Sequence, residues 1–233
     1  MKNIVVLSGA GVSAESGIAT FRDANGLWEN HRVQDVASPE GFRKDPALVL
    51  NFYNLRRRQL HEVNPNPGHD AIAKLEEDYH VTVITQNIDD LHERAGSSNI
   101  IHLHGELFKA RPVGADGPVL DWRRDIQLGD TDENGRQLRP HIVWFGEEVP
   151  EILRAADVVS RAHLVLIIGT SMQVYPAAGL VGYAPPNAPI IYIDPNPSIS
   201  FELRKREITT IRKGGSEGMA EALRLIPGLL AES

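Results

Sequence analysis

Residues 4–28 read IVVLSGAGVSAESGIATFRDANGLW. The apolar run Ile4-Val5-Val6-Leu7 has the pattern of a parallel strand buried on both faces. A strand running into Gly9-Ala10-Gly11 and then a helix is a layout that receives a dinucleotide. Bare backbone N–H groups and a helix N-terminus there can hold a pyrophosphate. The match is imperfect: the third glycine of G-x-G-x-x-G is Ala14, and the segment continues into the polar loop Thr20-Phe21-Arg22-Asp23. That departure points away from ordinary hydride-transfer enzymes. Ser13, Ser16 and Arg22 add hydroxyl donors and a cation suited to phosphates. The competing reading is steric: tight strand-to-helix turns need glycine with or without a ligand, and Arg22 is then a solvated loop charge.

Further short β-branched runs lie at residues 81–84, 164–168 and 190–193. Helical patterns fill the intervals. Residues 46–62 carry Leu48, Leu50, Phe52, Leu55 and Leu60 among charges, and residues 150–161 and 216–230 read as helices too. Asn66-Pro67 reads as an N-cap and first-turn proline for a helix through about Tyr79. Strands alternating with helices predict an α/β fold with a doubly wound parallel sheet. Residues 106–141 break the rhythm, with four glycines, several Asp and Arg, and the turn signal Asp132-Glu133-Asn134-Gly135. They read as a small polar insert rather than an independent domain.

The chain has 233 residues, with 42% hydrophobic and 24% charged, ordinary for a globular protein. A net charge of −7 gives no electrostatic case for nucleic acid or an anionic membrane. The absence of cysteine rules out disulfides, thiol catalysis and Cys-ligated zinc. It fits a reducing compartment, and a cytoplasmic location is expected. No apolar run approaches the roughly 18–20 residues of a membrane span. Met1-Lys2-Asn3 enters the first strand at once, so no signal or transit peptide is expected.

Polar residues follow each strand. Thr85-Gln86-Asn87-Ile88-Asp89-Asp90 follows the run at 81–84, and in an open α/β sheet ligands bind at the carboxyl ends of strands. Asn87 and Asp89 suit a ribose or a carboxamide, or cap a helix. Ile101-His102-Leu103-His104-Gly105 follows a strand expected at Asn99–Leu103, with both histidines on one side by alternation. No companion carboxylate or cysteine stands at metal spacing, so no metal is expected there. A histidine at a strand end beside a glycine is a base candidate, because it titrates near neutral pH. Gly169-Thr170-Ser171 and Asp194-Pro195-Asn196 end the third and fourth strands.

Five segments in this order resemble the sirtuin family of NAD-dependent protein-lysine deacylases: GAGVSAESGIATFRDANGLW, TQNIDDLHERAG, HLHGEL, RPHIVWFGE and GTSMQVYPAAGL. The resemblance runs from residue 9 to about 180. It implies a single domain over 1–233: a Rossmann-like part at about 1–30, 80–105 and 142–233, and a small module at about 31–79 and 106–141. It also implies roles. Gly9, Ala10, Gly11, Ser13, Ala14, Phe21, Arg22 and Trp28 would cradle NAD as a co-substrate. Gln86, Asn87, Ile88 and Asp89 would line the ribose and nicotinamide pocket. Gly169, Thr170 and Ser171 would hold the adenosine side, with Asp194, Asn196 and Ser216 at the adenine end. His104 would be the general base, with Asn87 and Asp89 beside it in the catalytic set. Val143, Trp144, Phe145 and Gly146 would pair with the acylated substrate protein as an added strand.

Tyr53 and Arg56 stand three apart on one helical face and resemble the Tyr-x-x-Arg of sirtuins that prefer succinyl- or malonyl-lysine. An Arg fork beside a phenol matches a terminal carboxylate. Ala37 matches the small residue that widens that acyl pocket. Alternatively, Arg56 belongs to the solvated Arg56-Arg57-Arg58 run. One departure is large: the family usually holds a structural zinc with four cysteines between HLHG and RPHIVWFGE, and this chain has none, with Pro112 near the first position. Residues 106–141 are therefore expected to fold without metal, using the Asn134-Gly135 turn and Val119, Leu120 and Trp122. The expected activity is NAD-dependent removal of succinyl, malonyl and acetyl groups. Mono-ADP-ribosyl transfer and an inactive NAD- or ADP-ribose-binding module are the alternatives.

Overall fold

In the computed structural model, which describes residues 1–19, 27–114 and 117–232, six parallel strands form the central sheet. Their spatial order is Ile208–Ile211, Ile190–Ile193, Leu164–Ile168, Asn3–Ser8, His80–Thr85 and Ile100–His102. The sheet is doubly wound. From Asn3–Ser8 the chain first builds outward through His80–Thr85, then returns to Leu164–Ile168 on the other flank. The strand order therefore reverses at Asn3–Ser8, where α/β sheets open a crevice for ligands.

Alternation along each strand explains the unbroken apolar runs. Val5, Leu7, Val165 and Ile167 face one core, with the helix Ile152–Val159 and the 3-10 segment Ala177–Tyr183. Ile4, Val6, Leu164, Leu166 and Ile168 face another, with the helices Pro67–Lys74 and Gly215–Glu232. Both faces are covered, so the strand interiors are predominantly apolar. The helix Pro46–Glu62 matches its predicted bounds and is capped by Asp45, whose carboxylate accepts from Leu48 N. Asn66 caps Pro67–Lys74 as expected, in a reciprocal capping box with His69, and a short 3-10 turn, Leu75–Glu77, replaces the rest of that predicted helix.

The insert contains a three-stranded antiparallel sheet in the order Leu120–Asp121, Gly105–Pro112, Leu138–Ile142. Its apolar side joins the helix Pro46–Glu62 in a third core holding Phe52, Tyr53, Leu107, Phe108, Ile126, Leu138 and Trp144. The expected turn is present: Gly135 has φ +74° and donates to Asp132 O at 3.0 Å. Asp132 ties it down, accepting from the N–H groups of Asn134 and Arg136 and from Arg136 Nε. Val119 is 47% exposed and contributes no core, whereas Leu120 and Trp122 pack at its edge. The strand Ile208–Ile211 has no counterpart in the sequence reading.

A four-cysteine zinc site does not fit this chain, because no cysteine exists to ligate it. Buried polar contacts tie the insert to the helix instead. Asn54 clamps Ile126 on both backbone groups, accepting its N–H at 2.9 Å and donating to its carbonyl at 2.8 Å. Arg57, fully buried, donates to Asn54 Oδ1 at 2.6 Å and to Leu107 O at 3.1 Å. Asn54→Ala therefore strands several buried groups and should cost about 2–4 kcal/mol in urea unfolding. Removal of divalent metal with a chelator should leave Tm unchanged. A Tm drop on chelation would contradict this packing.

Candidate active site

Where the first and third runs end, three glycines interlock. Gly9 donates to Ile168 O at 3.1 Å and Gly11 to Gly169 O at 2.8 Å. A Cβ on Gly9 would lie 2.7 Å from Thr170 Cβ, and one on Gly11 would lie 2.7 Å from Gly169 Cα. Gly169 has φ +61°, and its Cβ would stand 2.2 Å from Val12 N. No side chain fits at any of the three. The expected helix after Gly11 does not form. Two 3-10 turns, Ala10–Val12 and Ala14–Ser16, take its place without side-chain caps. Close packing onto Gly169 bends the chain away from a regular helix, so the site offers loop amides and no helix dipole.

A cavity of about 280 Å³ opens here, lined among others by Gly9, Ala10, Gly11, Gln86, Asn87, Ile88, Asp89, His104, Gly169, Thr170 and Ser171. Glycines with no room for a side chain at the mouth of a strand crevice fit a dinucleotide approaching the bare backbone. Gln86 braces the crevice, donating from Nε2 to Thr170 Oγ1 at 3.0 Å across two strand ends.

Beneath the loop lies a buried polar network. Ser13 donates to Asp89 Oδ2 at 2.9 Å and accepts from Asn87 Nδ2 at 3.1 Å. Leu91 N donates to Asp89 Oδ1 at 3.2 Å. Burial nonetheless pushes the Asp89 carboxyl up to about 6, against these two donors. His69 and His92 were not singled out from the sequence. Asn66 N donates to His69 Nδ1, which leaves His69 Nε2 as the donor to Ser13 Oγ. His92 meets Ser8 Oγ at 3.0 Å and stacks edge-on to His69. Burial lowers His69 to about 4 and His92 to about 3, so both are neutral. No local pattern marks these two histidines; only the docking of the Pro67–Lys74 helix under the loop reveals them.

His104 and His102 do face one side, and each meets the carbonyl of a neighbouring loop residue. His104 Nδ1 donates to Gln86 O at 3.0 Å, and His102 Nδ1 lies 3.3 Å from Asn87 O. A carbonyl only accepts, so His104 carries its proton on Nδ1 and leaves Nε2 as a proton acceptor. Burial lowers its pKa below the ordinary 6.5, against the carbonyl contact. His102 does have companion carboxylates, contrary to the sequence expectation. Glu93 and Glu106 bring their oxygens within 4.8 Å of its ring nitrogen. Both are engaged, Glu93 with His102 at 2.6 Å and Glu106 with Lys109 at 2.8 Å.

The far wall is apolar, with Ile18, Trp28, Ala37, Tyr53, Ile142, Val143, Trp144 and Phe145. Gly146 and Glu147 complete that side. Arg56 is not on it. It lines an adjoining cavity of about 50 Å³ that shares Trp28, Ile88 and Asp89 with the larger one. Its guanidinium stacks 3.3 Å from the Phe52 ring centroid and 5.0 Å from that of Trp28, and it donates to Phe52 O. Val143–Gly146, expected to pair with the substrate as an added strand, borders the cavity. Val143 donates to His104 O, Trp144 N to Glu147 Oε2 and Phe145 N to Ala37 O. These three N–H groups are engaged within the chain, and the backbone turns at Gly146, φ +90°.

Ala14 is exposed, on the short 3-10 turn. Asp194, Asn196 and Ser216 lie outside the cavity lining. Asp194 is buried and accepts from Asn196 N, and Ser216 N donates to Glu15 Oε1. Phe21 and Arg22 lie outside the described residues.

The Sir2 family model matches residues 9–176. The chain belongs to the Sir2 family. A protein of Bacteroides thetaiotaomicron described as an NAD-dependent protein deacylase is 54% identical to this Sir2 chain over 232 residues, covering 97% of it and 98% of the relative. A Helicobacter pylori protein of the same description is 60% identical over 195 residues, covering 84% and 83%. A solved Sir2 homologue–NAD complex superposes with a TM-score of 0.86 at 38% identity, covering 98% of this chain and 91% of that one.

The histidine network sets an acid limit on this Sir2 fold. Unfolded histidines take up protons near 6.5, whereas His69 and His92 resist until about 4 and about 3. The unfolded chain therefore binds more protons in between, and stability falls as pH falls. His92→Gln should flatten the dependence of unfolding free energy on pH by about 1.4 kcal/mol per unit between pH 6 and 4. An unchanged slope would contradict a neutral buried His92.

Proposed function

We propose that this Sir2 protein removes acyl groups from lysine side chains of other proteins in an NAD-dependent reaction, giving nicotinamide, O-acyl-ADP-ribose and free lysine. One observation carries the reading. A histidine with its Nδ1 proton fixed on Gln86 O stands in the same cavity as the interlocked glycines and the Asn87–Ser13–Asp89 network. NAD, when bound, supplies a ribose carbon that becomes electrophilic as nicotinamide departs.

The chain's residues divide the remaining work. Gly9, Ala10 and Gly11 bring bare backbone against the co-substrate. Asn87 and Asp89 are held by Ser13, so their orientation does not have to be established during turnover. His104 takes a proton at Nε2, and its lowered pKa keeps that nitrogen free at neutral pH. Ile18, Ile88, Val143 and Trp144 exclude water from the reacting centre, which favours the acyl oxygen over hydrolysis.

The proposed acyl range is succinyl and malonyl with acetyl. Tyr53 and Ala37 lie at the cavity wall, and Arg56 lines the adjoining cavity with Glu29, whose charge favours the charged guanidinium without a hydrogen bond to it among the described residues. The two cavities adjoin along Ile18, Ala19, Trp28, Ile88 and Asp89, which sets Arg56 next to the acyl side of the larger one. Burial lowers Arg56 to about 10, still charged at neutral pH, and a desolvated cation is a strong partner for a carboxylate. We further propose a cytoplasmic location, in keeping with the cysteine-free composition.

His104→Ala should reduce lysine release from acetyl and succinyl peptides alike, by about 100-fold or more. Arg56→Met should lower the succinyl rate by at least about tenfold more than the acetyl rate. Equal losses on Arg56→Met would remove the carboxylate-reading role. For the wild type, the acid limb of kcat/KM should lie below pH 6.5; a limb above that value would exclude His104 as the titrating base.

A further inference from the structure

Tyr53 stands at the acyl side of the cavity, packed to 0% exposure, and its hydroxyl already accepts one hydrogen bond. Trp144 Nε1 donates to Tyr53 Oη at 3.0 Å inside the third core. An indole N–H donates only, so the Tyr53 oxygen is committed as an acceptor there. Among the described residues none accepts the Tyr53 proton in return.

Trp144 is not free to withdraw. Its indole is 3% exposed and lies on the Arg139 guanidinium, whose Cζ is 3.3 Å from the ring centroid. Phe42 packs on it with ring centroids 5.3 Å apart. Arg139 is itself fixed, donating to Glu147 Oε1 at 2.6 Å, to Glu147 Oε2 at 3.1 Å and to Ile142 O at 2.8 Å. Glu147 closes the ring by accepting from Trp144 N at 2.8 Å. The indole is thus held through its face, its backbone and its N–H.

We propose that Trp144 is a specificity-determining positioning residue that, by donating to Tyr53, obliges Tyr53 to present its O–H proton to the acyl group and so favours acyl chains ending in an acceptor. The inference rests on the acyl-pocket reading above. The chemistry is direct. A carboxylate accepts the Tyr53 proton, whereas a terminal methyl leaves a buried O–H without a partner. Without the indole N–H, the Tyr53 hydroxyl is free to turn toward other partners, and the bias weakens.

Trp144→Phe keeps an aromatic ring for Phe42 and Arg139 while deleting the donor. It should lower the ratio of kcat/KM for succinyl over acetyl peptide by about tenfold, the value of one hydrogen bond to a charged group, mainly through KM for the succinyl peptide. A merely structural loss would lower both substrates equally and leave the ratio unchanged. Tyr53→Phe should lower the same ratio, and adding Trp144→Phe to Tyr53→Phe should lower it no further, because the tryptophan acts through the tyrosine. Additive losses in the double variant would overturn the proposal. If Trp144→Phe does not fold, the indole N–H resonance of Trp144 in the wild type is the second readout. It should shift on adding succinyl-lysine peptide and shift less with acetyl-lysine peptide, and equal shifts would overturn the proposal. A wild type with no succinyl activity would overturn the acyl-pocket reading and this inference together. Succinyl activity that falls selectively in Arg56→Met but keeps its ratio in Trp144→Phe would overturn this inference alone.

Discussion

Three positions in this molecule admit no Cβ, and the site depends on them. Gly9, Gly11 and Gly169 pack backbone against backbone where neighbouring strands end. Each would bring a side chain within 3 Å of main-chain or Cβ atoms, a contact that real structures essentially never tolerate. The loop is consequently held by hydrogen bonds from its own backbone to Ile168 and Gly169. That tight seat places Ser13 over Asp89 and Asn87, and the Gln86–Thr170 brace keeps the two strand ends at a fixed separation. These contacts within the chain fix the geometry of the crevice at the strand reversal.

Burial sets the electrostatics of the site more than charge pairing does. Asp89 is raised, and His69, His92 and His104 are lowered, in each case chiefly because the charged form loses water. Hydrogen bonds from Ser13 and Leu91 only partly offset the shift at Asp89. The result is a set of neutral imidazoles around one carboxyl that titrates near neutrality. Such an arrangement costs stability. The two covered sheet faces and the third core supply the apolar burial that offsets it.

Much of the fold was legible because local and global constraints agree. Doubly buried strands demand continuous β-branched runs, and residues 164–168 and 190–193 show them with the observed bounds. Asn66-Pro67 announced its helix start because capping is a local hydrogen-bond requirement. Ile208–Ile211 was missed because Thr209 and Thr210 interrupt an apolar run on an edge strand, where one flank faces no neighbour. The helix expected after Gly11 fails for a long-range reason, the contact with Gly169, that no local pattern encodes. The site divides the same way. The strand-end residues Asn87, Asp89, His104 and Gly169 converge as topology requires. Arg56, by contrast, shares a helical face with Tyr53 but lines the neighbouring cavity, with Trp28 in contact with both. His69 and His92 became visible only through tertiary packing.

The most direct measurement is product stoichiometry by mass spectrometry, after incubation with NAD and an acyl-lysine peptide. A deacylase built on this site yields one O-acyl-ADP-ribose and one nicotinamide for each lysine freed, with no NAD consumed when peptide is absent. ADP-ribose attached to the peptide, or NAD breakdown independent of peptide, would contradict it.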